Sequence, residues 1–218
     1  MRCLLVGYGK MNQLLEQILL EQNSTIVAVY DREHRIVESS YRFSEVLFDF
    51  SHPCYLEQYL DFAIKYQIPC VIGTSNFTDE QFERMKTAAL EIPIIYEANY
   101  SLGFFVLKKC LSVALPLTDF NFDFDIVEKH HRDKIDVISG SANELLRICN
   151  YFANVHSLRS GNMAGEHQIQ IAGEDEVIEL SHRSMSKRVY ALGAIKAAQF
   201  LIQQPAGFYT MEDVYHEQ

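Results

Sequence analysis

Two spacings of apolar residues alternate along the N-terminal half of the chain. Arg2 to Val6 is a short apolar run that stops at Gly7, the pattern of a buried strand. Met11 to Gln22 then carries apolar side chains at Met11, Leu14, Leu15, Ile18 and Leu19, which is helical spacing. Ser24 to Tyr30 reads as a second strand, so strand, glycine turn, helix and strand follow one another as a βαβ unit. The alternation continues with a strand at Val46 to Phe50, a helix at Leu56 to Tyr66 and a strand at Pro69 to Ile72. A helix at Thr78 to Ala89 and a strand at Ile92 to Tyr96 complete it. Thr78 with Gln81 three residues on is a capping box, which marks where that helix starts. Strands that alternate with helices predict an α/β fold with a Rossmann-type, doubly wound parallel sheet.

Past Tyr100 the pattern changes. Gly103 to Leu115 and Ala142 to Phe152 read as helices, and Phe122 to Lys129, Gln168 to Ala172 and Val177 to His182 as strands. A final helix runs from Ala191 to Gln203. Strands without regular helical crossovers predict a second, α+β domain with a mixed sheet. The aromatic–acidic stretch Asp119 to Asp125 reads as a loop entering a strand.

Composition narrows the range of partners. The 218 residues carry a formal net charge of -10, with 48% hydrophobic and 22% charged residues. That is a folded, acidic chain without the basic footprint that nucleic acid or an anionic membrane surface requires. No apolar run reaches the ~18 residues of a membrane span, and Arg2 leads straight into a strand rather than into a signal peptide. The five cysteines are scattered with no C-x-x-C pair, which predicts reduced, mostly buried thiols and a cytoplasmic protein.

Two segments carry candidate chemistry. Gly7-Tyr8-Gly9-Lys10-Met11-Asn12 turns a strand into a helix, where backbone N–H groups can meet a pyrophosphate. Asn12 stands in place of the third glycine of G-x-G-x-x-G, so the strand–turn–helix context strengthens a motif that is weak by itself. Asp31 ends the second strand, where a carboxylate would accept from an adenosine ribose, and Arg32 and Arg35 follow where a 2′-phosphate would lie. These features predict NADH, NADPH or both as cofactor. Gly73-Thr74-Ser75 and Glu97-Ala98-Asn99-Tyr100 lie past further strand ends, where open α/β sheets bind ligands; turn or cap chemistry explains them equally well.

The second segment runs from Glu128 to Ala142 and sets His130, His131, Lys134 and a Ser139-Gly140-Ser141 turn before a helix. Such a turn offers N–H groups and hydroxyls to a carboxylate, and histidine and lysine can hold a dianion and supply a proton. A solvated charged surface fits the same spacing. Adjacent histidines on a strand point to opposite faces, and no third ligand at recognisable spacing joins them, so no metal is expected.

The Glu128 to Ala142 segment resembles the E-x-H-H-x-x-K-x-D-x-P-S-G-T-A signature of the dihydrodipicolinate reductases. Asp49 to Pro53 resembles that family's D-F-T/S-x-P, Val71 to Ser75 its V-I-G-T-T, and Ala98 to Gly103 its A-N-F-S-x-G. Arg159 to Gly161 and Gly165 to His167 are similar to its R-x-G and G-E-H, so the likeness runs over nearly the whole chain. Ile138 replaces the signature proline, Ser141 its threonine, and Lys10 a common arginine. The resemblance implies reduction of 4-hydroxy-tetrahydrodipicolinate to tetrahydrodipicolinate in lysine and diaminopimelate biosynthesis, by a cytoplasmic homotetramer. It implies His130 and Lys134 as proton donors, and His131, Ser139, Gly140 and Ser141 as contacts of a small dicarboxylate substrate. It implies Gly7, Tyr8, Gly9, Lys10, Met11, Asp31, Arg32, Gly73, Thr74, Ser75, Glu97, Ala98, Asn99 and Tyr100 at the nicotinamide cofactor. It also implies a discontinuous dinucleotide-binding domain, 1–99 and 191–218, around a substrate-binding and oligomerisation domain, 100–190. An aspartate-dehydrogenase-like oxidoreductase and a non-catalytic dinucleotide sensor are the competing readings.

Overall fold

The computed structural model describes residues 1–31 and 41–216, so Arg32 and Arg35 lie outside the described residues. The chain forms two compact units, Met1–Tyr100 with Tyr190–Gln218, and Ser101–Val189.

The first unit is built on a six-stranded sheet. In chain order its strands are β1 (Arg2–Val6), β2 (Thr25–Tyr30), β3 (Val46–Asp49), β4 (Cys70–Ile72), β5 (Pro93–Tyr96) and β10 (Gly207–Tyr209). They lie in the order β10-β5-β4-β3-β1-β2, and every pairing is parallel. Parallel strands need crossovers, which here include α1 (Lys10–Glu21), α2 (Leu56–Tyr66) and α3 (Asp79–Ala88). Leu4 and Val6 share a core with Leu56, Tyr59 and Leu60 of α2 and Met85 of α3. Cys3 and Leu5 point the other way along β1 and are also fully buried, so the sheet is covered on both faces. Thr78 caps α3 in a complete capping box with Gln81. The late helix α6 (Arg188–Leu201) approaches so closely at Gly193 that a Cβ there would lie 1.8 Å from the Tyr100 carbonyl oxygen. The short α7 (Met211–His216) ends the described chain.

The second unit holds a four-stranded mixed sheet, β7-β6-β8-β9. Here β6 is Asp123–His130, β7 Asn154–Arg159, β8 Glu166–Ala172 and β9 Val177–Arg183. β6 pairs in parallel with β7 and antiparallel with β8, and β8 pairs antiparallel with β9. Helices α4 (Leu102–Ala114) and α5 (Gly140–Ile148) contribute Phe104, Leu107, Leu111, Ala142 and Leu145 to a core with Phe124, Ile126, Ile169 and Ile171. Ile138, in the place of the signature proline, packs against this core.

Candidate active site

Each unit holds one of the two segments singled out above. In the first unit the strand order reverses between β1 and β3, and open α/β sheets bind ligands outside the strand ends at such a point. Gly7 leaves β1 with φ +78°, a left-handed conformation that suits glycine, and a Cβ there would lie 2.6 Å from Ser51 Cβ. Its N–H donates to the Tyr30 carbonyl at 2.6 Å. Asn12 is fully buried, and its Nδ2 donates to the Val6 and Gly7 carbonyls at 2.6 and 2.8 Å. The residue in the place of the third glycine thus staples the turn from below. Gly9 is the N-cap of α1, no side chain caps that end, and a Cβ on Gly9 would meet nothing within 4 Å. Tyr8, Gly9 and Lys10 are exposed around it. This helix end has the open N–H groups and positive dipole end that a pyrophosphate needs.

The ends of β3 and β4 are tied through Asp49, which is fully buried. Asp49 accepts from Ser51 Oγ, from Thr74 Oγ1 at 2.9 Å and from Tyr59 OH at 2.9 Å. Burial pushes its carboxyl up to about 6, and those three donors limit the rise. The Thr74 hydroxyl also accepts from the Ser51 amide at 2.8 Å. Gly73 leaves room for the Phe50 ring, which a Cβ would meet at 2.1 Å. Tyr100 is buried, and its hydroxyl donates to the Ile72 and Ile95 carbonyls at 2.8 and 3.2 Å. Glu97 accepts from the Met211 amide at 2.9 Å. The side chains of Thr74, Glu97 and Tyr100 therefore brace this rim of the sheet. Ser75 is exposed beside them, Ala98 is half-buried, Asn99 is buried, and Asp31 is half-buried just past β2.

In the second unit β6 alternates Phe124, Ile126, Glu128 and His130 on one buried face, so a glutamate and a histidine end an otherwise apolar row. Glu128 is fully buried. Its Oε1 accepts from the Ser139 amide at 3.1 Å, Ser157 Oγ at 2.7 Å and Arg159 Nη2 at 2.8 Å. Its Oε2 lies 3.1 Å from His130 Nδ1. Burial alone would raise this carboxyl; the approach of His130 and the donors Ser139, Ser157 and Arg159 overcome that and hold it well below the usual carboxylate range. Arg159 Nη2 also donates to the Asp136 and Val137 carbonyls at 2.7 and 3.2 Å, fastening the loop between β6 and α5. In that loop Lys134 Nζ sits 2.9 Å from Asp136 Oδ2, and His131 is half-buried.

Ser139 caps α5 by accepting from the Ala142 amide at 3.1 Å, and its Oγ lies 3.4 Å from His167 Nε2. Gly140 and Ser141 form the first turn of that helix, with Ser141 buried. His167 stands opposite Glu128 in the β6–β8 ladder, and its ring meets that of His130 edge-on at 5.3 Å. Burial, with neighbouring His130, pushes His167 down to about 3, so it is neutral at physiological pH.

A family model described as the dihydrodipicolinate reductase N-terminus matches residues 1–100, and one for the C-terminus of the same enzyme matches residues 103–215. The chain belongs to the dihydrodipicolinate reductase family. A 4-hydroxy-tetrahydrodipicolinate reductase of an Exiguobacterium species is 35% identical over 100% of this chain and 96% of its own length. The same-named protein of Thermosipho africanus is 34% identical over 100% of this chain and 99% of its own. A dipicolinate-bound dihydrodipicolinate reductase of a Paenisporosarcina species shares the fold with TM-score 0.79 and 20% identity, over 96% of this chain and 97% of that one. Aspartate dehydrogenase of Thermotoga maritima shares it less closely, with TM-score 0.57 and 14% identity over 94% of this chain and 98% of that one. The fold is thus common to both oxidoreductases, and the family match separates them.

Sequence reasoning left Glu128, Ser157, Arg159 and His167 out of the site. Glu128, Arg159 and His167 were visible inside family motifs, but their convergence is set by strand pairing rather than by spacing. Sequence spacing offered His130 and His131 no third ligand, whereas in the fold two other ligand-type side chains stand near His130. Glu128 and His167 both converge on it, and His131 is not part of that group.

Proposed function

We propose that the chain reduces 4-hydroxy-tetrahydrodipicolinate to tetrahydrodipicolinate, with NADH or NADPH as reductant, in lysine and diaminopimelate biosynthesis. The observation that carries this reading is the Glu128–His130 pair beside the Ser139-capped start of α5, with Lys134 in the loop between them. Cofactor binding falls to the first unit, Met1–Tyr100 with Tyr190–Gln218, within a residue of the expected 1–99 and 191–218, and substrate binding and oligomerisation to Ser101–Val189. Gly7 to Met11 fit a pyrophosphate at the uncapped helix end, with Asp31 toward the ribose and Gly73 to Ser75 and Glu97 to Tyr100 along the rim; the role expected of Arg32 at the cofactor rests on the sequence alone. The bound nicotinamide supplies the hydride.

The chain's own groups supply the rest. Glu128 Oε2 stands 3.1 Å from His130 Nδ1, which leaves Nε2 to carry a proton to the carbon next to the one reduced. Lys134 protonates the departing hydroxyl, and Asp136 at 2.9 Å keeps its ammonium in place. The N–H groups of Gly140 and Ser141 at the start of α5, with the Ser141 hydroxyl and His131, hold a carboxylate. Ser139 acts beneath them, because its amide serves Glu128 and its hydroxyl caps the helix. The carbon next to the one reduced gives up a proton as water leaves and regains one from His130, so the net change is one proton consumed and one water released. Dipicolinate, held by the Paenisporosarcina relative, is a planar dicarboxylate of the kind this site would take.

The working assembly in this reading is a cytoplasmic homotetramer joined through the second sheet. All five cysteines are free thiols, and no described helix is long and apolar enough to cross a membrane. Leu158 and Val177, on the two edge strands, are 50% and 53% exposed in the single chain. Light scattering should give the mass of four chains.

The function is tested by following nicotinamide oxidation while a synthase generates the substrate in place from pyruvate and aspartate semialdehyde. Oxidation that needs both synthase and this protein supports the reading and ranks NADH against NADPH. Cofactor binding without oxidation would favour the sensor.

A further inference from the structure

Glu128, His130 and His167 have a second property. Their relative exposures are 0%, 8% and 1%, and one potential ligand atom from each falls within 4.8 Å of the other two. Each also leaves a buried polar atom without a hydrogen bond: Glu128 Oε2, His130 Nδ1 and His167 Nδ1. An orphaned buried polar atom typically costs about 1–3 kcal/mol and calls for an explanation, an ion among them. Oε2 and Nδ1 of His130 approach to 3.1 Å yet are not aligned as donor and acceptor. A cation between them would take a lone pair from each. Bonds of about 2.0–2.1 Å to a tetrahedral ion give ligand-to-ligand edges of about 3.3 Å, so the 4.8 Å limit asks for a closure of at most about 1.5 Å. Rotation of one imidazole supplies it. The ligand set, two imidazoles and a carboxylate with a position left open, suits Zn²⁺ rather than Ca²⁺ or Mg²⁺.

We propose that Glu128, His130 and His167 form a site for Zn²⁺ or a similar borderline divalent ion, and that filling it shuts the enzyme down by taking His130 out of proton transfer. Only the inhibitory consequence rests on the catalytic role given to His130; the binding itself does not.

The test is a Co²⁺ titration of the full chain without substrate or nicotinamide, read by visible absorption, with Zn²⁺ competition. One equivalent should give the intense bands of a four-coordinate N/O site, and Zn²⁺ should erase them. His167→Gln should weaken binding by at least about 100-fold, since losing a ligand costs no less than losing its outer-shell partner. Glu128→Gln, an independent variant, should weaken it as well. Zn²⁺ should inhibit the parent reversibly, with a chelator restoring activity, and His167→Gln should resist. A spectrum unchanged in His167→Gln, or one with the sulfur-to-cobalt bands expected if the exposed Cys54 or Cys110 were the ligands, would overturn the site. So would the weak bands of six-coordinate cobalt. A normal cobalt site with no loss of turnover would instead show that His130 is not the acid.

Discussion

Replacing Glu128 by glutamine probes the acid pair with little change of shape. The amide keeps one oxygen for Ser139, Ser157 and Arg159, the three donors on Oε1. It loses the charge, and it places an NH₂ where Oε2 faces His130 Nδ1 at 3.1 Å. The amide NH₂ can donate to Nδ1, which places the ring proton on Nε2, and the carboxylate charge beside the ring is gone. Turnover should therefore fall by about 100-fold as proton transfer from the ring loses the carboxylate beside it. The fold should suffer less. A charged hydrogen bond to Arg159 becomes a neutral one, a loss of about 1 kcal/mol, and each kcal/mol lowers Tm by about 2–4 °C in a chain of this size. The sign with pH follows from the depressed carboxyl of Glu128. Its contribution to stability is complete above the ordinary carboxylate range and is lost as pH falls through the folded value, so parent and variant should converge in acid. Steady-state kinetics across pH, with NADH binding as control, decide the matter. A variant within threefold of the parent would refute the pairing.

Three further substitutions test the frame around the two halves. Gly7→Ala puts a side chain at φ +78° and 2.6 Å from Ser51 Cβ, so NADH affinity should fall at least about tenfold with a stability loss of about 1–3 kcal/mol, by calorimetry. Gly193→Ala drives a Cβ to 1.8 Å from the Tyr100 carbonyl, and should cost more than about 3 kcal/mol or abolish soluble expression. Asp49 has its carboxyl raised to about 6 from 3.8, so its contribution is complete at acid pH and lost as pH rises through the folded value. Urea melts of the parent relative to Asp49→Asn should therefore lose about 3 kcal/mol between about pH 4 and pH 7.

The parallel sheet was legible because strands buried on both faces, such as Leu4, Leu5 and Val6, read as unbroken apolar runs. β7 escaped because it is an exposed edge strand, with Val155 its one partly buried apolar residue. β10 is three residues long and pairs with β5 alone. The helix expected to reach Phe152 stops at Ile148, because Asn150 and Tyr151 take left-handed φ of 46° and 64° although the apolar pattern continues. In the site, the Glu128 to Ala142 segment is contiguous and could be read directly. His167 and Arg159 reach it only through the β6–β8 and β6–β7 registers, which no local spacing encodes.

The central claim is that Lys134 and His130 carry the proton transfers while the nicotinamide is held elsewhere on the chain. Lys134→Ala tests it most directly, with turnover measured in the synthase-coupled assay and NADH binding measured by fluorescence on the same preparation. Turnover should fall by about 100-fold or more while NADH affinity stays within about twofold of the parent. Equal turnover in variant and parent would contradict it.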